Sequence, residues 1–299
     1  MKKIIALMSL FALSVGFAFA QQVEVEKPSL VQVGVIPLNS LKEKKPIPYP
    51  RSNISDIVWA RKVWRVFDLR EKINYPLYYP TIIMQTRKSL VQALVGAVYD
   101  GQIKAYDVND DDFTTELSIE ELKGRFDATD QVITRPKMDG SGDTTIVIRG
   151  DFNWAEIQEL LIKEEWFFDK HHGQMFVRVL GICPVRVYNR SISSAAEEEE
   201  DFDFALGERV KRKLFWAYYP ETRPLLVNTP CFISENEVSQ TSFDDMFEKR
   251  RFNSYIISVS NPQNNRQVDQ YTHNDFEKML ESERLKRELF NFEHDLWEY

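Results

Sequence analysis

Histidines and carboxylates that could hold a metal ion come together at one place in the sequence. His171 and His172 follow Asp169, and Glu164 lies a few residues upstream. Imidazole and carboxylate groups are zinc ligands, but neighbouring residues of a strand point to opposite faces, so consecutive imidazoles do not converge on one ion. The sequence therefore favours a solvated turn at residues 170–173 over a metal site.

A second acidic stretch, residues 107–112, begins like a calcium-binding loop. An EF-hand requires Gly at its sixth position and Glu at its twelfth, whereas this chain has Asp112 and Ser118 there. The chain has no Gly-x-Ser-x-Gly, Walker or His-Glu-x-x-His motif, and these motifs would mark the common hydrolytic and phosphate sites. The residues therefore predict no catalytic site, no cofactor and no metal.

The composition is that of an acidic globular protein. The 299 residues are 43% hydrophobic, and 38 Lys+Arg against 46 Asp+Glu give a net charge of −8. Nucleic-acid binding as a main role is disfavoured because phosphate contacts need a basic surface. Two cysteines exclude a disulfide-rich scaffold. Cys183 and Cys231 lie among apolar residues, which favours buried free thiols, with a disulfide as the alternative.

The N-terminus resembles a secretory signal peptide. Lys2 and Lys3 precede an apolar run at 4–17, and Ala18 and Ala20 place small residues before a cleavage site at Gln21. The alternative is a membrane anchor, but the run is shorter than the ~20 residues that span a bilayer. No cysteine follows the run, which disfavours lipidation. We therefore expect residues 1–20 to be removed and the mature protein to be exported.

Residues 21–54 are predicted to form an extended arm that docks on a partner or a neighbour. Gly34 and Pro37 break any helix, and Pro46, Pro48 and Pro50 hold the chain extended. A plain linker would not carry so many aliphatic residues. The residues of the arm predicted to contact a partner are Leu30, Val33, Ile36 and Tyr49.

The remaining residues, 55–299, predict an α+β domain of antiparallel β-hairpins packed with several helices. Two halves, about 55–150 and 151–299, are indicated by a faint recurrence of Tyr-Tyr-Pro, a helix and a strand, with chance as the alternative. Helices are predicted at 55–72, 87–99, 118–126 and 243–251. Strand pairs are predicted at 132–150, at 162–168 with 174–188, and at 214–219 with 225–228, and single strands at 103–108 and 252–260.

A long C-terminal helix is predicted at 274–298, and its apolar residues form two opposite stripes. Because a terminal helix with one partner needs only one stripe, the pattern predicts contacts on both sides. A bend near Ser282 that turns both halves to one core is the alternative. One stripe holds Phe276, Met279, Leu280, Phe290 and Trp297, and the other holds Leu285, Leu289, Phe292 and Leu296. Of the first stripe, the predicted partner contacts are Phe276, Met279, Phe290 and Trp297.

Short motifs along nearly the whole mature chain resemble those of the GldN/PorN family. Among them are Pro-Ile-Pro-Tyr-Pro at 46–50, Pro-Leu-Tyr-Tyr-Pro at 76–80, Lys-Glu-Glu-Trp-Phe-Phe-Asp-Lys at 163–170 and Leu-Phe-Trp-Ala-Tyr-Tyr-Pro-Glu at 214–221. The resemblance covers about residues 46–299. No single motif is diagnostic, but their number and order are specific.

The resemblance implies a non-catalytic structural subunit of the type IX secretion and gliding-motility apparatus of Bacteroidetes. It implies a periplasmic ring beneath the outer membrane, with a GldK/PorK-like lipoprotein, further copies of itself and the GldM/PorM-like motor domain as partners, and no cofactor. A periplasmic ligand-binding or hydrolytic protein, and a monomeric secretion adaptor or chaperone, are the alternatives. A deep pocket with convergent titratable groups would favour the first of these.

Overall fold

Long antiparallel strands form the centre of a seven-stranded sheet in the computed structural model of the protein. The structure describes residues 44–84, 87–128, 131–136, 143–148, 152–189, 209–233 and 241–296. The sheet contains β1 (Ile57–Asp68), β2 (Ala105–Tyr106), β5 (Ile157–Asp169), β6 (Gln174–Asn189), β7 (Arg209–Lys213), β8 (Trp216–Tyr218) and β9 (Tyr255–Val259). A separate pair consists of β3 (Gln131–Pro136) and β4 (Asp143–Ile148). The predicted strand pair at 132–150 is therefore confirmed.

The strand order of the sheet is β2, β8, β6, β5, β1, β9, and β7 pairs with the C-terminal part of β6. Every pairing in it is antiparallel. The β5–β6 hairpin agrees with the predicted strands at 162–168 and 174–188, and its turn lies at residues 170–173. Strands from both predicted halves of the chain contribute to this one sheet.

Six α-helices accompany the strands in the described part of the chain. They are α1 (Tyr75–Tyr78), α2 (Leu90–Tyr99), α3 (Ile119–Arg125), α4 (Tyr219–Asn228), α5 (Phe243–Glu248) and α6 (Asp275–Asp295). Capping boxes fix the starts of α2, α3 and α5, where Ser89, Ser118 and Ser242 accept from the backbone N–H three residues on. The α+β class and the long C-terminal helix are thus confirmed.

The helix predicted at 55–72 is wrong, because this segment forms β1. On a helical wheel its apolar residues lie on many sides, a pattern that suits a helix buried on more than one side. In the structure β1 lies between β5 and β9 and is covered on both faces, so it needs apolar groups on both. The Val, Ile, Trp and Phe residues of the segment also favour strands over helices.

The hairpin predicted at 214–219 and 225–228 is also wrong, because its second half is helix α4. Pro220 occupies the first turn, where the missing N–H costs no helical hydrogen bond. The Tyr219 hydroxyl donates to Asp244 Oδ1 at 2.7 Å, and Arg223 pairs with the same carboxylate at 3.0 Å. These buried contacts with α5 hold the segment as a helix.

One face of the sheet carries two apolar clusters. Alternation along β1 places Val63, Arg65 and Phe67 on this face. Phe67 belongs to the main core, which packs under α1, α2, α4 and α5. Val63 belongs to a second cluster together with Leu285 and Leu289 of α6. The charged residue Arg65 therefore lies between the two clusters.

The opposite face is covered by the acidic loop at 107–116. Trp64 and Trp216 pack here with Phe113 of that loop. The Trp64 indole donates to Asp111 Oδ2 at 3.1 Å, and the buried Lys163 ammonium donates to the Asp111 backbone carbonyl. The acidic residues of this loop thus hold it against the sheet.

Replacing Gly181 with Ala should destabilise the protein at this face. A Cβ atom there would lie 2.6 Å from Cζ of Phe113 and 3.2 Å from Trp216 Cε3. The Phe113 ring must therefore leave its packed position. Overpacking of this kind costs about 1–3 kcal/mol of unfolding free energy. Urea denaturation would measure it. Gly124→Ala is the control, because nothing lies within 4 Å of that position and the helix should gain ~0.5–1 kcal/mol. Equal stability of the two variants would contradict the prediction.

Candidate protein-interaction surfaces

The histidine-rich turn between β5 and β6 is organised by a buried aspartate. Asp169 accepts hydrogen bonds from the His171 backbone N–H at 2.8 Å, and its other oxygen lies 2.8 Å from His172 Nδ1. Burial raises the pKa of Asp169, but hydrogen bonds from His172, Ser52 and the backbone prevail and lower it to about 2. The side chain acts as an ionised acceptor that shapes the turn. No group of three metal-ligating side chains lies together among the residues described.

The acidic loop uses its carboxylates for internal turns. Asp110 accepts from the backbone N–H groups of Asp112, Thr114 and Thr115. The Thr114 side chain, which also donates to it, is the main reason that the pKa of Asp110 lies well below its usual value. The loop thus directs this carboxylate towards its own backbone. Cys183 and Cys231 are both free and buried, as favoured above, and burial raises the pKa of each thiol to about 12.

Helix α6 docks on the sheet through one of its two apolar stripes. Leu285 and Leu289 are buried in the second cluster, and Phe292 stacks on Trp59 with ring centroids 4.5 Å apart. The Ser282 hydroxyl accepts a hydrogen bond from the backbone N–H of Ile256 at 2.9 Å. The helix thus supplies an acceptor for a backbone N–H of the edge strand β9. This stripe is therefore the internal one.

The other stripe of α6 faces away from the subunit. Phe276 is 66% exposed, Met279 57%, Leu280 51% and Phe290 63%. Trp297, the last member of this stripe, lies outside the described residues. The helix runs without interruption from Asp275 to Asp295. The two stripes therefore face different sides, and the alternative of a bend near Ser282 is wrong. Large apolar groups aligned on an exposed helix face are typical of a protein-binding surface.

Tyr49, predicted to contact a partner, lies against its own subunit. Its hydroxyl donates to Glu248 Oε1 at 2.9 Å, and its ring lies below the guanidinium groups of Arg223, at 4.3 Å, and Arg178, at 5.1 Å. Burial, reinforced by Glu248, raises the pKa of Tyr49 well above its usual value. Of the remaining predicted arm contacts, Leu30, Val33 and Ile36 lie outside the described residues.

A second apolar surface is a groove of about 710 Å³ beside α1. Its apolar lining includes Ile73, Tyr75, Tyr79, Met84, Phe232 and Ile233. The adjoining residues Ile82 and Ile83 are 63% and 82% exposed. Sequence reasoning missed this groove, because it used the Pro-Leu-Tyr-Tyr-Pro motif at 76–80 only for the internal recurrence and the family resemblance. The run of Ile, Tyr and Met at 73–84 was the available signal.

The lining of the groove also includes cationic side chains. Lys72, Arg87 and Arg251 lie along it, and the Arg87 guanidinium stands 3.6 Å from the centroid of the Phe232 ring. Among its described lining residues there is no carboxylate.

A buried ionic cluster separates the main core from the core under α6. Glu164 is fully buried, and its carboxylate lies 3.0 Å from Arg65 Nε and 3.1 Å from Arg250 Nη1. The Trp166 indole donates to Glu164 Oε2 at 2.9 Å. Burial, opposed by Glu164, lowers the pKa of Arg65. One carboxylate thus compensates two guanidinium groups.

Comparison with known protein families shows to which of them the chain belongs. Residues 52–298 match the family described as gliding motility associated protein GldN. The chain belongs to the GldN family. No curated protein matches the chain. The GldN family is part of the gliding-motility and type IX secretion machinery, so the resemblance noted from the motifs is confirmed.

In this GldN-family chain, the match covers the whole of the seven-stranded sheet and all of α6. The groove and the exposed stripe of α6 both lie within it. Over the described ranges, no helix combines the length and the hydropathy that crossing a bilayer requires.

Proposed function

We propose that this protein is a non-catalytic structural subunit of a periplasmic ring in the type IX secretion and gliding machinery. In this proposal it is exported by a cleaved signal peptide, and a GldK/PorK-like lipoprotein holds it at the outer membrane. Further copies of itself and a GldM/PorM-like motor domain complete its contacts. Membership of the GldN family supports a role in this machinery. The resemblance of the motifs supports a place in the ring.

The observation that carries the structural role is the exposed stripe of α6. Phe276, Met279, Leu280 and Phe290 are each more than half exposed, while the opposite stripe already anchors the helix. A subunit that worked alone would leave this apolar surface in water. Burial of a Phe or Met side chain against a partner would contribute ~1.5–3 kcal/mol, so several such residues support stable assembly. We assign this face to the contact with the GldK/PorK-like lipoprotein.

Affinity purification from detergent-extracted membranes tests the proposal. The tagged wild-type protein should recover an outer-membrane lipoprotein in roughly equal amount. Phe290→Asp should recover much less of it, because a charge in an apolar interface loses its hydration without gaining a partner. Asn291→Asp is the control for the added charge, since residue 291 is exposed next to Phe290 and its replacement removes no apolar side chain. Recovery of the wild-type protein as a free monomer would refute the structural role.

A further inference from the structure

We infer that the β3–β4 hairpin joins neighbouring copies of this chain by strand pairing. In this contact the outer edge of β4 in one copy pairs with the outer edge of β3 in the next. The inference rests on the proposed function, in which further copies of the protein are partners, and it assigns that contact to a surface. It is separate from the lipoprotein contact assigned to the exposed stripe of α6.

The chain enters and leaves the hairpin at the main core. Phe126 and Ala128, shortly before β3, are buried. Phe152, shortly after β4, packs edge to face on Phe126 with ring centroids 4.8 Å apart, and it stacks on Trp154 at 5.2 Å. These aromatic contacts hold the two chain segments that lead into and out of the hairpin together.

Within the described part of the chain, the two strands of the hairpin pair only with each other. Six consecutive residues of β3 lie opposite six residues of β4 without a bulge, and no third described strand joins them. Each strand therefore has an outer side whose backbone N–H and C=O groups no described strand pairs with. Because a lone two-stranded hairpin is marginally stable in water, further strands or packing must stabilise it.

The composition of both strands favours pairing at these outer edges. Val, Ile and Thr occupy three of the six positions of β3 and five of the six positions of β4. Edge strands commonly avoid pairing through Lys, an interior Pro or a bulge, whereas neither strand has a Lys or a bulge and Pro136 stands at the end of β3. The charged residues are Arg135 on β3 and Asp143 on β4. Their opposite signs favour pairing of β3 with β4 over pairing of either strand with its own copy.

The two outer edges are complementary because β3 and β4 are already partners. In the hairpin Val132 lies opposite Val147, and Thr134 lies opposite Thr145. The backbone groups of an antiparallel strand point alternately to its two sides, so the same register can be repeated between β4 of one copy and β3 of the next. The repeat also keeps each residue on its original face of the sheet. Such a contact joins two different surfaces head to tail, which gives a ring when the rotation between copies closes.

Cross-linking between two differently tagged full-length copies in the same cells tests the inference. One copy carries Thr134→Cys and the other Thr145→Cys, and isolated membranes are treated with a short bis-maleimide. Opposite residues of paired antiparallel strands lie about 5 Å apart, so a product with both tags should form in high yield. Thr134→Cys with Gln263→Cys is the control for random collision, because Gln263 is exposed in the loop after β9. The yield at position 145 should exceed the yield at 263 severalfold.

The native cysteines are buried, and copies without an added cysteine report any reaction at them.

Two results would overturn the inference. Equal yields at 145 and 263 would mean that β3 and β4 of neighbouring copies do not pair. An equally high yield between two copies that both carry Thr134→Cys would mean that identical edges meet. Lipoprotein recovery by the same variants is a separate readout. If it stays at the wild-type level without the cross-link, this inference fails and the proposed function stands, whereas a cross-link without lipoprotein recovery would contradict the proposed lipoprotein partner alone.

Discussion

Replacing Leu289 with Asp should lower the unfolding free energy by at least ~2–5 kcal/mol, the range for losing a large buried apolar side chain. Leu289 is 2% exposed and packs in the cluster that joins α6 to the sheet. The substitution removes the apolar contacts and places a carboxylate in the cluster that contains Val63, Ile256 and Val259. A thermal melt followed by circular dichroism would measure the loss.

Phe290→Asp is the matched variant, one residue further along the same helix. Phe290 is 63% exposed, so its replacement should change the unfolding free energy by no more than about 0.5 kcal/mol, as for ordinary surface substitutions. Phe290→Asp should instead impair assembly and secretion. Comparable unfolding of both variants would mean that both stripes belong to the core, and the interface assigned to α6 would then be wrong.

The sequence was sufficient to find the two stripes of α6 but not to assign them. Both stripes contain Leu and Phe at helical spacing, and hydrophobicity alone does not distinguish core from interface. The assignment depends on residues more than a hundred positions away in the chain: Trp59 stacks on Phe292, and Val63 shares a buried cluster with Leu289. No local pattern carries that information.

The error at β1 has a related cause. A strand that is covered on both faces reads as a nearly continuous apolar run, which periodicity cannot separate from a buried helix. The hairpin of β5 and β6 was recognisable because a polar turn at 170–173 interrupts two long β-branched and aromatic runs. At α4 the deciding contacts, Tyr219 and Arg223 with Asp244, join separate parts of the chain. The groove was missed because its described lining comes from 72–84 and Arg87 and from 232–233, Met246 and Arg251, and only folding brings these parts together.

Glu164→Gln should be the most destabilising conservative substitution in the sheet. The amide keeps the shape of the side chain but removes the one carboxylate that lies against both Arg65 and Arg250. Arg65 is 6% exposed, so its guanidinium would remain buried without a counter-charge. Breaking a buried ion pair in this way costs about 3–5 kcal/mol. Urea unfolding followed by tryptophan fluorescence suits the measurement, because the Trp166 indole donates to the same carboxylate.

Two further variants separate loss of charge from loss of packing at this cluster. Glu165→Gln changes the neighbouring, half-buried carboxylate and should alter the unfolding free energy by no more than about 0.5 kcal/mol. Arg65→Met combined with Glu164→Leu removes both members of the closest pair, and apolar replacement of a buried ion pair is often neutral or stabilising. The double variant should therefore be more stable than Glu164→Gln alone. If it is less stable, packing and not the unpaired charge determines the cost. If Glu164→Gln unfolds at the same urea concentration as Glu165→Gln, the cluster does not hold the two cores together.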